Sequence, residues 1–377
     1  MIRRSTLRGV RYAVALAFLS WSSASTAQDG IAARYPRDAG IERDPDVIMT
    51  EMFERNSVSE VVRGWTNSQN TAGMSLSPDV PAASGGTRSL LMTSVGRTST
   101  GGQLYKKLAP GHDQIFLRYY IKYASVGTYH HTGGWLGGYN PPTDWPQGGA
   151  GEKPTGSDRI QIGAEPANAA LRFDLYTYWM NMRASPTGEY WGNTFIQNPS
   201  LVVRTDRWMC VEVMVKMNDP VSASNGEMAL WIDGVQVIHL RPGVPLGRWS
   251  SNMFFPDPRG APFEGFRWRS ADSIDLNWIW LLYYTTGNTQ GLVGKVWFDH
   301  VVVATKYIGP ISASAAETIA PSLLSISSCA NAEDRADHER RPAHRPGIRD
   351  RSRRRRPRGR RAAGGAVESQ DSVRGNA

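Results

Sequence analysis

The chain has 377 residues, with 13 Trp and 14 Tyr but only two Cys, and a formal charge of +9. That charge is unevenly placed: residues 1–27 hold four arginines and no acid, residues 312–377 hold fourteen arginines against eight acids, and residues 28–311 hold 25 Lys and Arg against 26 Asp and Glu. A near-neutral middle excludes a basic groove for nucleic acid there, because phosphate binding needs a basic footprint on the folded surface. Two cysteines, Cys210 and Cys329, exclude a disulfide framework, and a domain of about 280 residues can hold a core without one.

In chain order, Arg3, Arg4, Arg8 and Arg11 precede an apolar run from Tyr12 to Trp21 and the small residues Ser22 to Ala27. This reads as a signal peptide cleaved after Ala27, and so as a secreted or periplasmic protein. The run falls short of the roughly twenty apolar residues of a spanning helix, so no membrane span is expected. Carboxylates between Asp29 and Asp46 could bind calcium, although their spacing matches no loop motif, and no other cofactor is expected.

From there to about Ile311, period-two alternation separated by Gly, Pro, Asn and Asp predicts an all-β antiparallel sandwich. Leu117, Tyr119, Ile121 and Tyr123 share a face within 115–123, opposite Arg118, Tyr120 and Lys122. Met209, Val211, Val213, Val215 and Met217 do the same within 208–217, and these apolar faces are predicted to be core. Asp233-Gly234 between strand formers predicts a two-residue hairpin, since both turn positions need positive φ. Strands are expected over 275–285 and 294–307. The proline-rich stretches 139–154 and 242–262 are expected to be long loops that shape a site. Beyond residue 312 aromatic residues vanish and Arg349 to Arg361 is mostly arginine, the composition of a disordered tail. Cys210 is expected to be a packed strand thiol.

Three stretches carry the chemistry. In Tyr129-His130-His131-Thr132-Gly133-Gly134-Trp135-Leu136-Gly137-Gly138-Tyr139-Asn140, glycines beside Trp135 allow close approach of backbone or ligand, and rings suit the C–H face of a sugar. Trp135 and Tyr139 are therefore candidate sugar platforms. Adjacent histidines in a strand point to opposite faces, so only one of His130 and His131 is expected to face a ligand. Ser157, Arg159 and Gln161 share one face of the next strand, and Arg172, Asp174, Tyr176 and Tyr178 share one face of the strand after it.

The series Arg118-Tyr119-Tyr120-x-Lys122, the Gly133-Gly134 pair, Ser157-x-Arg159, Tyr176-x-Tyr178, Trp208-x-Cys210-x-Glu212, Asn225-Gly226-Glu227-Met228-x-Leu230-Trp231-Ile232-Asp233-Gly234 and Trp297-Phe298-Asp299-x-Val301-Val302-Val303 covers most of residues 45–310. It resembles the alginate-lyase-like polysaccharide lyases of family 14 and relatives. The resemblance implies a concanavalin A-like jelly-roll and β-elimination on a uronate-containing polysaccharide. Where that family has a lysine after its Gly-Gly pair, this chain has Trp135. By that pattern Ser157, Arg159, Tyr176 and Tyr178 correspond to residues around the family's active site. Taken with the residues' own chemistry, Tyr176, Tyr178, His130, His131 and Arg159 are the candidate catalytic residues, and Trp135, Tyr139, Ser157, Gln161, Arg172, Arg118 and Lys122 the candidate substrate-binding residues.

Elimination requires that the uronate carboxylate be neutralised, that a base take the C5 proton and that an acid protonate the O4 leaving group. Tyr176 or Tyr178 suits the acid/base role, Arg159 or Gln161 the carboxylate, and His130 or His131 the place of the missing lysine. A glucanase would place paired carboxylates at alternate positions of one strand, and no such run occurs. Zinc-hydrolase, serine-triad and nucleotide motifs are also absent. The alternative is a lectin-like domain that binds glycan through Trp135, Tyr139, Tyr176 and Tyr178 without cleaving it. A monomer is expected, with a polysaccharide as its partner.

Overall fold

The computed structural model describes residues 29–167, 171–285 and 288–313. The predicted signal peptide, its cleavage point, Cys329 and the arginine-rich tail from residue 314 onward lie outside the described residues.

The strands, in chain order, are β1 (Val47–Glu51), β2 (Asn67–Gln69), β3 (Met74–Ser77), β4 (Ser89–Val95), β5 (Gln103–His112), β6 (Gln114–Tyr123), β7 (Thr132–Tyr139), β8 (Arg159–Pro166) and β9 (Phe173–Tyr178). They continue as β10 (Met209–Lys216), β11 (Glu227–Ile232), β12 (Val235–Leu240), β13 (Leu246–Ser250), β14 (Met253–Pro256), β15 (Ala261–Pro262), β16 (Leu276–Tyr283) and β17 (Val293–Ala304). Two large antiparallel sheets make a jelly-roll sandwich. The first runs β12-β11-β10-β6-β17-β4-β3, with β1 also on β17, and the second runs β2-β5-β16-β7-β8-β9.

Alternation decides the core. Leu117, Tyr119, Ile121 and Tyr123 of β6, with Val211, Val213 and Val215 of β10, meet Leu136 of β7, Ile160 and Ile162 of β8, and Ile279 and Leu281 of β16 in one buried cluster. For β6 and β10 this is the predicted face, and Asp233-Gly234 turns β11 into β12 at positive φ as expected. Four glycines in the central strand β7 break the usual avoidance of Gly in sheets, and close approach explains it. A Cβ at Gly134 would lie 2.3 Å from the Tyr119 ring of the opposite sheet, and one at Gly137 would lie 2.0 Å from the Ile160 carbonyl.

The stretch 242–262 is not simply a loop: it holds the small sheet β14-β13-β15. Pro256 ends β14 and Pro262 lies on the two-residue edge strand β15, so a missing N–H costs little pairing at either place.

The outer face of the first sheet is closed by the two ends of the described chain. Ile31 and Ala32 donate backbone hydrogen bonds to Tyr307 and Ile308, and Arg37 donates to Ser312. Ile31, Ile41, Phe116, Trp231, Val302 and Ile308 are buried together beneath this strap. Inside it Arg118 is fully buried and bonds both carboxylate oxygens of Asp38. The His300 Nδ1 lies 2.7 Å from the same carboxylate, and its Nε2 lies 2.7 Å from Ser84 Oγ. Cys210 is buried on this face, and burial pushes its thiol up to about 12, as a packed strand residue should behave.

Candidate functional site

The outer face of the second sheet is built from one register row. Tyr105 of β5 is opposite Trp280 of β16, Trp280 opposite Trp135 of β7, Trp135 opposite Gly163 of β8, and Gly163 opposite Tyr176 of β9. The next row reads Lys107, Trp278, Gly137, Gln161 and Tyr178. Glycine alternates with large rings because the rings lie across their neighbours: a Cβ at Gly163 would meet the Trp135 indole at 2.3 Å, and one at Gly137 the Trp278 indole at 2.6 Å. Trp135 thus belongs to the sheet surface as a floor. Ring centroids lie 6.0 Å apart for Trp135 and Trp280, 5.9 Å for Trp135 and Tyr176, and 5.5 Å for the stacked pair Tyr139 and Trp278. Trp145, from the loop after β7, packs on Tyr105 and Trp280 at 6.0 and 5.8 Å.

Polar groups collect at the Tyr176 end of this floor. His130 and His131 sit just before β7, where the extended alternation assumed for them does not apply. His131 has φ +55°, a left-handed value that few side chains adopt. The turn brings both imidazoles to one side, with ring centroids 3.8 Å apart, which corrects the expectation that only one faces the site. His131 Nδ1 is 3.0 Å from Glu165 Oε1, and Trp135 Nε1 donates to Glu165 Oε2 at 3.1 Å. Tyr176 stands 5.2 Å from the His131 ring, and its hydroxyl is 3.3 Å from that of Tyr178. Burial works against charge on the His131 imidazole, but the facing Glu165 carboxylate outweighs it and raises the pKa above the ordinary histidine value. Burial raises the pKa of both Tyr176 and Tyr178, so their hydroxyls stay protonated at neutral pH.

The other sequence candidates are held by partners of their own. Arg159 donates to the Gly149 and Glu152 carbonyls and pairs with Asp158, anchoring the loop after β7. Gln161 stands beside Tyr178 in the register, and its amide is tied by donating to the Tyr139 hydroxyl at 2.6 Å. Ser157 is exposed in a turn with Thr155. Arg172 precedes β9 and pairs through its backbone with Val202, at the far end of that strand from Tyr178. Asp174, fully buried, accepts backbone N–H groups from Leu175, Phe195, Ile196 and Gln197, which organises the chain after β9.

Two candidates are on the wrong sheet. Arg118 is the buried partner of Asp38 described above, and Lys122 pairs with Asp79 and lies over the Trp297 ring at 4.4 Å. Both are on β6, whose alternation turns these residues away from the core on the first sheet. The floor belongs to the second sheet.

Glu165 and the rings of Tyr105, Trp145, Trp278, Trp280 and Tyr284 escaped the sequence reading. Two signals were present: the Arg159, Gln161 alternation continues to Glu165, and Trp278, Trp280 and Leu282 alternate along β16. Among the described residues, His130, His131 and Glu165 form the one group of metal-ligating side chains close enough to share a cation. The carboxylates considered for calcium do not gather: Asp38 is taken by Arg118, Asp44 by Arg34 and Asp46 by Lys306. A surface depression of about 600 Å³ lies elsewhere, lined by Ile196, Ile238, Val244 and Phe255.

The fold and this face define an all-β sandwich with an aromatic platform ending in a His-carboxylate-Tyr cluster. No protein-family model matches the chain, and no curated protein matches it. Among solved structures it is similar to the alginate lyase Aly36B, at 12% identity and a TM-score of 0.47, over 70% of this chain and 98% of that one. It is also similar to the marine PL-14 alginate lyase from Aplysia kurodai, at 14% identity and a TM-score of 0.49, over 69% and 99% of the two chains. The endo-beta-1,4-glucuronan lyase from the fungus Trichoderma reesei matches at 15% identity and a TM-score of 0.37, over 69% and 95%. The architecture described above rests on this chain's own strands and registers.

Proposed function

We propose that the protein is a polysaccharide lyase that cleaves a uronate-containing glycan by β-elimination. The observation that carries this reading is the Tyr176 and Tyr178 hydroxyl pair beside the His131–Glu165 pair, at the open end of a floor of rings. Sugar rings would lie along Trp280, Trp135 and Tyr176, whose faces suit pyranose C–H groups. His131, whose charged form the facing Glu165 carboxylate favours, neutralises the uronate carboxylate and so stabilises the enolate-like charge that develops. His130, exposed beside it, takes the C5 proton, and the electron pair left at C5 forms the C4–C5 double bond as the C4–O4 bond breaks. Tyr176 gives its proton to O4, with Tyr178 as the adjacent hydroxyl through which that proton is replaced. Arg159 holds the loop that carries Trp145 and has no chemical step in this scheme. Export by the N-terminal segment belongs to the same proposal, and N-terminal sequencing of the mature protein checks it.

A lectin-like role is the second reading, favoured by the ties that hold Arg159 and Gln161 away from a ligand carboxylate. The full chain, incubated with alginate, glucuronan, ulvan and glycosaminoglycans, separates the two by the ultraviolet absorbance of an unsaturated product. Absorbance that rises with wild type and falls about 100-fold or more in Tyr176→Phe supports elimination. Binding without any rise, on every polymer, leaves the lectin reading in its place.

A further inference from the structure

The His130, His131 and Glu165 cluster has a property that elimination does not require. One imidazole nitrogen from each histidine and one Glu165 oxygen all lie within 4.8 Å of one another. Bond lengths of about 2.0–2.2 Å to a zinc-like ion need donors somewhat closer than this, and rotation of the exposed His130 side chain can close the gap. The positive φ at His131 is what puts two successive imidazoles on one side, an arrangement that a regular strand forbids. Glu165 is fully buried, and one of its oxygens is oriented by the Trp135 N–H while the other faces the histidines. Outer-shell bonds of this kind fix a ligand carboxylate in place.

We propose that His130, His131 and Glu165 form a binding site for a divalent transition-metal ion, with an open position toward the aromatic floor. Two imidazoles and one carboxylate are the donor set of zinc, copper or nickel, whereas calcium and magnesium take oxygen ligands, often six or more. The ion takes the place of the direct His131–Glu165 contact, and its remaining position takes water or an oxygen of a bound glycan. Because the same imidazoles serve the elimination proposed above, an occupying ion competes with that chemistry and would act as a reversible inhibitor.

The test uses the chelator-treated full chain titrated with zinc chloride alone by calorimetry, and with cobalt chloride followed by visible absorbance. One ion per chain is expected at this site, with a cobalt spectrum of low coordination number. His130→Ala, an exposed substitution that leaves the core untouched, should weaken zinc binding on the order of 10- to 100-fold, as should Glu165→Gln. His239→Ala, on the first sheet, should leave affinity unchanged, and calcium should not compete. Failure to bind zinc, or equal affinity in wild type, His130→Ala and Glu165→Gln, would overturn the proposal. The readout is the metal itself, so either result is independent of whether the chain cleaves a polymer.

Discussion

The two outer faces of the sandwich carry the same kind of group in opposite settings. On the first sheet His300 meets Asp38 at 2.7 Å beneath the strap formed by the chain ends, and on the second His131 meets Glu165 at 3.0 Å at the edge of an open aromatic floor. The first cluster is closed: Arg118 takes both Asp38 oxygens, and Ser84 Oγ already accepts the Gly86 N–H while it meets His300. Its Ser-His-Asp order resembles a catalytic relay, but the carboxylate is committed to a buried cation and the whole group fastens the N-terminal segment to β17. The second cluster is half-open, with His130 exposed and Tyr176 partly so. What separates a fastening from a site is the cover over the residues, since their types are nearly the same.

That contrast can be broken most directly at Arg118. Arg118→Met leaves Asp38 buried beside His300 without its main counter-charge, and a loss of about 3–5 kcal/mol in urea unfolding is expected. Lyase activity or glycan affinity per folded molecule should not change, and a specific loss there would place the first face in function.

A crossed pair of variants sharpens the same point. His300→Ala should cost about 1–3 kcal/mol of stability, because it leaves buried partners unsatisfied, without changing glycan handling. His131→Ala leaves the buried Glu165 carboxylate without its facing imidazole, so a comparable stability loss is expected, but only this variant should also lose product formation per folded molecule. Gly163→Ala comes next in size: its Cβ would strike the Trp135 indole, so about 1–3 kcal/mol of overpacking strain and weaker glycan binding are expected together, read by thermal unfolding and affinity electrophoresis.

The last effect is a slope with pH. Burial pushes the Asp299 carboxyl up to about 8, with Glu54 and Asp38 adding to the rise and the His300 N–H and Arg118 opposing it, and Tyr120 stands opposite in the register. The unfolded chain ionises this group near the ordinary carboxylate value of 3.8, so the folded state binds the extra proton between the two values. Stability from this source is complete below that lower value and is lost as pH rises toward about 8. Glu212, pushed up to about 7 by burial, adds a loss of the same sign over a narrower window. Asp299→Asn should flatten the decline in melting temperature between weakly acidic and weakly alkaline buffer, and an unchanged slope would contradict the assignment.

Much of the fold was legible in advance because period-two alternation is a local property. The core faces of β6 and β10, the Asp233-Gly234 hairpin and the shared face of Tyr176 and Tyr178 follow from neighbours in sequence. The misplaced residues show where that reasoning stops. Arg118 and Lys122 alternate as a polar face should, but alternation does not say which sheet a strand joins or what lies over its outer face. His130 and His131 were misread for a different reason: the rule of opposite faces holds only for extended backbone, and the positive φ at His131 answers to packing that the sequence does not display.

The sequence by itself determined an all-β sandwich, the pairing of residues into faces and a near-neutral domain, because each depends on residue type and spacing alone. Only the tertiary structure decided that Tyr105, Trp280, Trp135 and Tyr176 stand in one row, that Glu165 joins the histidines, and that Arg118 is a buried fastening. Register across strands distant in sequence sets those contacts, and the segments at the two ends of the described residues decide which polar groups of the first sheet are sealed from water.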